Sequence, residues 1–209
     1  MTMKQALKST YAKPVLFVLC LLPLVVLIWR GFDGDLGANP VETITHETGE
    51  WALRFLLFTL AITPIRNWTG NAAVIRFRRM LGLYVFFYAF CHFLIWFIAD
   101  HSFDFAEMLE DIIERPYITL GFSGLLVLLP LAITSNQAMI KRLGAARWKS
   151  LHKLTYLVAI LGVLHFIWLV KADYLEAGIY AVIAAVLLLQ RVKFKPFLSA
   201  KLSLIFSTK

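Results

Sequence analysis

Two of the five histidines in this 209-residue chain stand where an ionisable side chain is costly. His92 falls inside the apolar run Met80 to Ala99, and His165 inside the run Leu151 to Val170. An ionisable group at membrane depth is a functional candidate by default, although one isolated histidine is about as readily a hydrogen bond between helices. Spacing makes these two a pair. His92 lies thirteen residues beyond Arg79, and His165 thirteen beyond His152, where both runs begin at the same side of the bilayer. With a rise of 1.5 Å per residue, both imidazoles reach the same height, about 20 Å from those ends. Two imidazoles at one height on two helices suit the two faces of a b-type haem, one axial ligand on each. Gly82 and Gly162 would let helices approach closely, and Phe86, Phe90, Phe93, Phe166 and Trp168 are candidates to wall a macrocycle.

His152 is a third candidate, with its role open. On a straight helix it is turned about 140° from His165, so the two need not share a face. It suits a second haem with an unusual partner, since the third span offers Arg79 rather than histidine at that level. Contact with a flavin or quinone, or a cap at the membrane edge, are the other readings. Arg78, Arg79, Arg147 and Lys149 are placed to meet a phosphate or propionate, although such basic loops are more often topological anchors. His46 and His101 fall in the remaining polar segments and read as solvated. Cys20 and Cys91 lie in different apolar runs with no CxxC or CxxCH pattern, which excludes a disulfide framework and covalently attached haem.

The elements that must carry these residues are legible from composition. Hydrophobic residues make up 60% of the chain and charged ones 16%, with a mean hydropathy of +0.73. Six apolar runs approach the roughly 20 residues that a bilayer requires. They are Pro14 to Trp29, Gly49 to Ile65, Met80 to Ala99, Tyr117 to Thr134, Leu151 to Val170, and Tyr174 to Gln190. The expected fold is all-α: one polytopic bundle of six transmembrane helices over residues 1–209, its first helix an uncleaved span. With the N-terminus in the cytosol, only Arg30, Arg54, Arg115 and Lys171 of the 21 basic residues fall outside, while all 13 acids lie outside or at that border. Both patterns put the two ends in the cytosol of an inner-membrane protein. The net charge of +8 then reflects loops facing anionic lipid rather than a nucleic-acid partner.

The motifs around these histidines resemble a known family. Arg78-Arg79-Met80-Leu81-Gly82-Leu83 followed by His92, and Trp148-Lys149-Ser150-Leu151-His152-Lys153-Leu154-Thr155-Tyr156 followed by His165-Phe166-Ile167-Trp168, resemble the MsrQ family. These are haem-binding membrane subunits of bacterial periplasmic methionine sulfoxide reductase systems. The likeness extends to Leu36-Gly37-Ala38-Asn39-Pro40, His46-Glu47-Thr48-Gly49, Arg115-Pro116-Tyr117 and Thr134-Ser135-Asn136-Gln137-Ala138-Met139, and so covers nearly the whole chain. The histidine pattern alone is shared with the wider ferric-reductase-like transmembrane group.

The resemblance implies b-type haem and FMN as cofactors, with His92, His152 and His165 as the haem-related histidines. It implies electrons from quinol or a cytosolic flavin reductase, delivered to a periplasmic molybdopterin subunit of the MsrP type that repairs oxidised methionines. One departure from the wider group stands out: the third span has a single histidine, which puts a two-haem ladder in doubt. No GxGxxG motif is present, so the expected reductant is a separate protein or quinol. A stand-alone quinol or ferric reductase is the nearest alternative, and a small transporter or membrane scaffold the alternative of another class. The latter lacks a mid-membrane acid to partner the histidines and any inverted repeat.

Overall fold

The computed structural model describes Leu7 and residues 9–191. Lys4, Lys8 and the basic tail from Lys193 onward, counted in the orientation argument, lie outside the described residues. Among the described residues the chain is helical, without a strand: α1 (Ala12–Asp33), α2 (Pro40–Thr69), α3 (Arg78–Ala99), α4 (Phe105–Glu114), α5 (Pro116–Ile133), α6 (Gln137–Leu143), α7 (Ala145–Leu151), α8 (Leu154–Leu169) and α9 (Leu175–Leu189). It is an all-α membrane bundle. Four segments are long and apolar enough to cross a bilayer: Ala12–Asp33, Ala72–Ala99, Pro116–Ile133 and Ala145–Leu169. The six expected spans also include α9, apolar but of 15 residues, and α2, whose 30 residues carry Glu42, Glu47, Glu50 and Arg54 in one half.

Those charges fit because they answer one another. The Arg54 guanidinium meets Glu50 at 2.6 Å and Glu176 of α9 at 3.7 Å, and its Nε donates to the Tyr180 hydroxyl at 2.7 Å. Paired in this way, an ionic cluster is tolerable beside lipid where a lone charge is not.

Two prolines make openings in the helical hydrogen-bond ladders, and side chains from other elements fill them. In α1, next to Pro23, the fully buried Tyr88 of α3 inserts its hydroxyl into the ladder. It accepts from the Leu24 N–H at 3.2 Å and donates to the Cys20 carbonyl at 2.9 Å. Tyr84, one turn earlier, donates to the Phe17 carbonyl at 2.8 Å. In α2, Pro64 has no N–H to offer the Leu60 carbonyl four residues back, and Arg191 donates to that oxygen instead. Phe55 of α2 stacks on both tyrosines, with centroids 5.5 and 5.2 Å apart, joining the α1–α3 contact to the core.

The most extensive packing is between α2 and α3 and between α5 and α8, so the middle of the bundle is two tight helix pairs. Each pair contains one of the two membrane-depth histidines. The short helices sit at the ends. α4 begins on an Asp104 cap that accepts from the N–H groups of Ala106 and Glu107, and buries Met108 and Ile112 against Phe97 and Ile118. α6 starts on an Asn136 cap, and Gly144 (φ 77°) makes the break into α7.

α2 also starts well before Gly49, where the sequence reading placed it. Asn39 caps its first turn by accepting from Glu42 N–H at 3.3 Å, and Pro40 occupies the first helical position, where a missing N–H costs nothing. This extension brings Thr45 and Gly49 alongside His92.

Candidate functional site

His92 on α3 and His165 on α8 converge on one cavity of about 510 Å³. Their ring centroids are 6.2 Å apart and the ring planes cross at 78°. Equal height, inferred from spacing alone, therefore becomes direct proximity.

The two histidines are held in the same way. His92 Nδ1 is 2.8 Å from the Thr45 carbonyl on α2, and His165 Nδ1 is 2.6 Å from the Tyr117 carbonyl on α5. A carbonyl can only accept, so each Nδ1 carries the proton and each Nε2 keeps its lone pair. Neither Nε2 has a hydrogen-bond partner among the described residues, and both rings line the cavity.

Four residues beyond each accepting carbonyl is a glycine against which the ring lies. A Cβ at Gly49 would stand 3.0 Å from His92 Nδ1, and one at Gly121 would stand 2.9 Å from His165 Nδ1. Any larger residue would displace the imidazole. Sequence reasoning pointed instead to Gly82 and Gly162, but a Cβ at either meets its nearest neighbour at an ordinary 3.8 Å.

The pair fits a metal held between the rings. A metal–imidazole bond of about 2 Å on each side, with about 1.2 Å from each nitrogen to its ring centre, gives a centroid spacing of about 6.4 Å. Among the described residues no cluster of three or more His, Cys, Asp or Glu side chains could hold a metal. Two protein ligands in a large, mainly apolar cavity suit a metal whose other ligands belong to a macrocycle. The walls include Phe93 and Phe166, as expected, together with Trp96 and Phe122. Phe86, Phe90 and Trp168 do not line it, and Phe90 and Trp168 are exposed on the bundle's outside.

His152 stands apart. The helix expected to run through it breaks there: His152 caps the end of α7, and α8 starts at Leu154. Its ring stacks on Trp148 with centroids 3.9 Å apart, and both nitrogens have partners, the Ser135 hydroxyl at 3.3 Å and the Trp148 carbonyl at 3.1 Å. Trp148 in turn donates to the Thr134 carbonyl at 2.9 Å. Arg78 and Arg79 are electrostatic neighbours of His152. The Tyr156 hydroxyl accepts from Arg191 at 3.1 Å, and Arg79 is exposed. These residues form a second, polar cluster, and none of them borders the cavity.

Of His46 and His101, both expected to be solvated, only His101 departs from that expectation. His46 is exposed but lines the cavity mouth. His101 is buried at 3% exposure, its ring 4.5 Å from Trp96 and its nitrogens 3.3 Å from Asp111 and 3.8 Å from Glu107.

Comparison with known proteins agrees with this architecture. Residues 48–163 match the family described as ferric reductase like transmembrane component, a stretch that includes His92 and His152 and stops two residues short of His165. The chain is similar to the protein-methionine-sulfoxide reductase heme-binding subunit MsrQ of Herminiimonas arsenicoxydans, 50% identical over 88% of this chain and 85% of that protein. It is 51% identical to the MsrQ of Xanthomonas euvesicatoria pv. vesicatoria over 87% of this chain and 85% of that one, and 49% identical to that of Rhodospirillum rubrum over 84% and 85%. No solved structure matches. With half its residues identical to these proteins over most of both lengths, the chain belongs to the MsrQ family, within the ferric-reductase-like transmembrane group.

Proposed function

We propose that this chain is the haem-binding membrane subunit of a methionine sulfoxide reductase system, passing electrons across the inner membrane to a periplasmic catalytic subunit of the MsrP type. The observation that carries the reading is the pair of imidazoles 6.2 Å apart in one cavity, each tethered by Nδ1 to a neighbouring helix. In this reading His92 and His165 would hold one b-type haem, which when bound would supply a one-electron carrier. Thr45 and Tyr117 fix the tautomer and aim of the ligating rings through their carbonyls. Gly49 and Gly121 leave room for the rings, and Leu56, Val85, Leu128 and Val158 keep water from the inner end of the cavity.

Six spans with both ends in the cytosol complete the proposal, α2 and α9 included. The His92–His165 site then lies toward the periplasm, and Arg78, Arg79 and His152 lie at the cytosolic face. Electrons enter there, from quinol or a flavin reductase, with Arg78 and Arg79 as the candidate contacts for a donor or for FMN. His152 as a second haem ligand would have to release Ser135 or Trp148.

The test is the absorption spectrum of the purified protein. His92→Ala and His165→Ala are each expected to lose the reducible low-spin haem spectrum while the protein still accumulates in the membrane. Full low-spin haem in either variant would overturn the ligand pair. Alkaline phosphatase fused after Gly37 or Asp104 should be active and after Asn71 inactive; the reverse pattern would overturn the orientation.

A further inference from the structure

The cavity is graded in polarity along its length. The inner end is lined by Leu56, Val85, Leu125, Leu128 and Val158, with no polar side chain among them, whereas the opposite mouth carries Glu42, His46, Glu50, Asp100 and Arg115. Haem is graded likewise, with an apolar edge and an edge bearing two carboxylates. Seated between His92 and His165 with its carboxylates inward, it would bury two anions among aliphatic side chains with nothing to answer them. Seated the other way, it brings them to the mouth.

Two of the three acids at that mouth have partners of their own, and the third, Asp100, is an electrostatic neighbour of Arg115. Glu42 accepts from the Asn39 amide at 3.0 Å, and Glu50 is ion-paired with Arg54. Among the described residues, Arg115 is the one arginine or lysine that lines the cavity. It caps α5 and is anchored by an ion pair with Asp111, 3.1 Å away through Nε. Tyr117 supplies the carbonyl that holds His165, so the cation and the ligand ring are referenced to one short segment, Arg115 to Tyr117. A guanidinium has five N–H donors in a planar fork, so the bond to Asp111 leaves donors for a carboxylate.

We propose that Arg115 is a haem-carboxylate anchor that fixes the haem with its propionates toward the α4–α5 end of the bundle. This rests on the assignment of haem to His92 and His165. It also separates two roles for arginine: Arg78 and Arg79, singled out in the sequence for phosphates or propionates, lie off this cavity, and the propionate contact falls to Arg115.

A chemical double-mutant cycle tests it. Apoprotein, as wild type, Arg115→Gln and Arg115→Lys, is titrated in detergent with haem and with haem dimethyl ester, whose carboxylates are capped, and binding is followed by the Soret band. The wild type is expected to bind free-acid haem about tenfold more tightly than the ester, the scale of a charge-assisted hydrogen bond. Arg115→Gln should bind the two about equally, with ester affinity near wild type, and Arg115→Lys should keep most of the preference. An undiminished acid preference in Arg115→Gln overturns the anchor. So does loss of ester binding in that variant, because the residue would then be acting on the fold. Absence of any low-spin spectrum in the wild type with either ligand would instead sink the underlying haem assignment.

Discussion

In the cavity, His92 and His165 each commit one nitrogen to a backbone carbonyl and leave the other open; in the polar cluster, His152 commits both nitrogens to its own chain and stacks on Trp148. By residue type and span position all three look alike. The difference lies in what each ring still has to offer. An imidazole whose Nδ1 proton is tied down presents a fixed lone pair at Nε2, the arrangement a metal ligand needs. An imidazole satisfied on both sides costs energy to redirect. In the proposed reading the paired-histidine cavity serves a ligand, whereas the contacts of His152 and Trp148 tie α7 to the end of α5 through Ser135 and Thr134.

Substitutions at the glycines break this contrast most sharply. Gly121→Val places a branched side chain where even a Cβ would be 2.9 Å from His165 Nδ1, and haem content should fall at least about tenfold. Gly49→Ala is milder, since a Cβ 3.0 Å from His92 requires a shift of a few tenths of an ångström; a reduction of a few fold is expected. Gly82→Ala and Gly162→Ala should leave haem content unchanged. Haem content per protein checks all four, and a Gly121→Val protein with full haem would mean that the ring is not held as described.

In the other cluster the expected effect is on stability, not on the spectrum. Arg191→Met leaves the Leu60 carbonyl, already deprived of an N–H by Pro64, without a donor, a loss of about 1–3 kcal/mol. The midpoint of thermal unfolding in detergent should drop by several degrees, with the haem spectrum below it unaltered. A changed spectrum at low temperature would show that the two regions are not independent.

The pair itself was legible because helical rise is regular: His92 lies thirteen residues beyond Arg79 in α3 and His165 eleven beyond the start of α8 at Leu154, so the break after His152 left the two nearly level. Their mutual approach was not, since it depends on which helices pack together and how closely. The supporting contacts were hidden because they are made by backbone. A carbonyl at Thr45 or Tyr117 leaves no mark in the sequence, and Gly49 and Gly121 look like any other small residue in a membrane helix. The start of α2 was readable, as Asn39-Pro40 is a capping residue followed by a proline at the first helical position, a signal the hydropathy boundary at Gly49 overrode. The burial of His101 could not be foreseen, because it depends on α4 folding back onto α3 around it.

The central claim, that His92 and His165 ligate one haem, is tested most directly by electron paramagnetic resonance of the oxidised protein. With ring planes crossing at 78°, the expected signal is the strongly anisotropic low-spin ferric type given by near-perpendicular axial imidazoles. It should be present in the wild type and in His152→Ala, and absent from His92→Ala. A rhombic signal of parallel imidazoles, a purely high-spin signal, or a low-spin signal that survives in His92→Ala but vanishes in His152→Ala would contradict it.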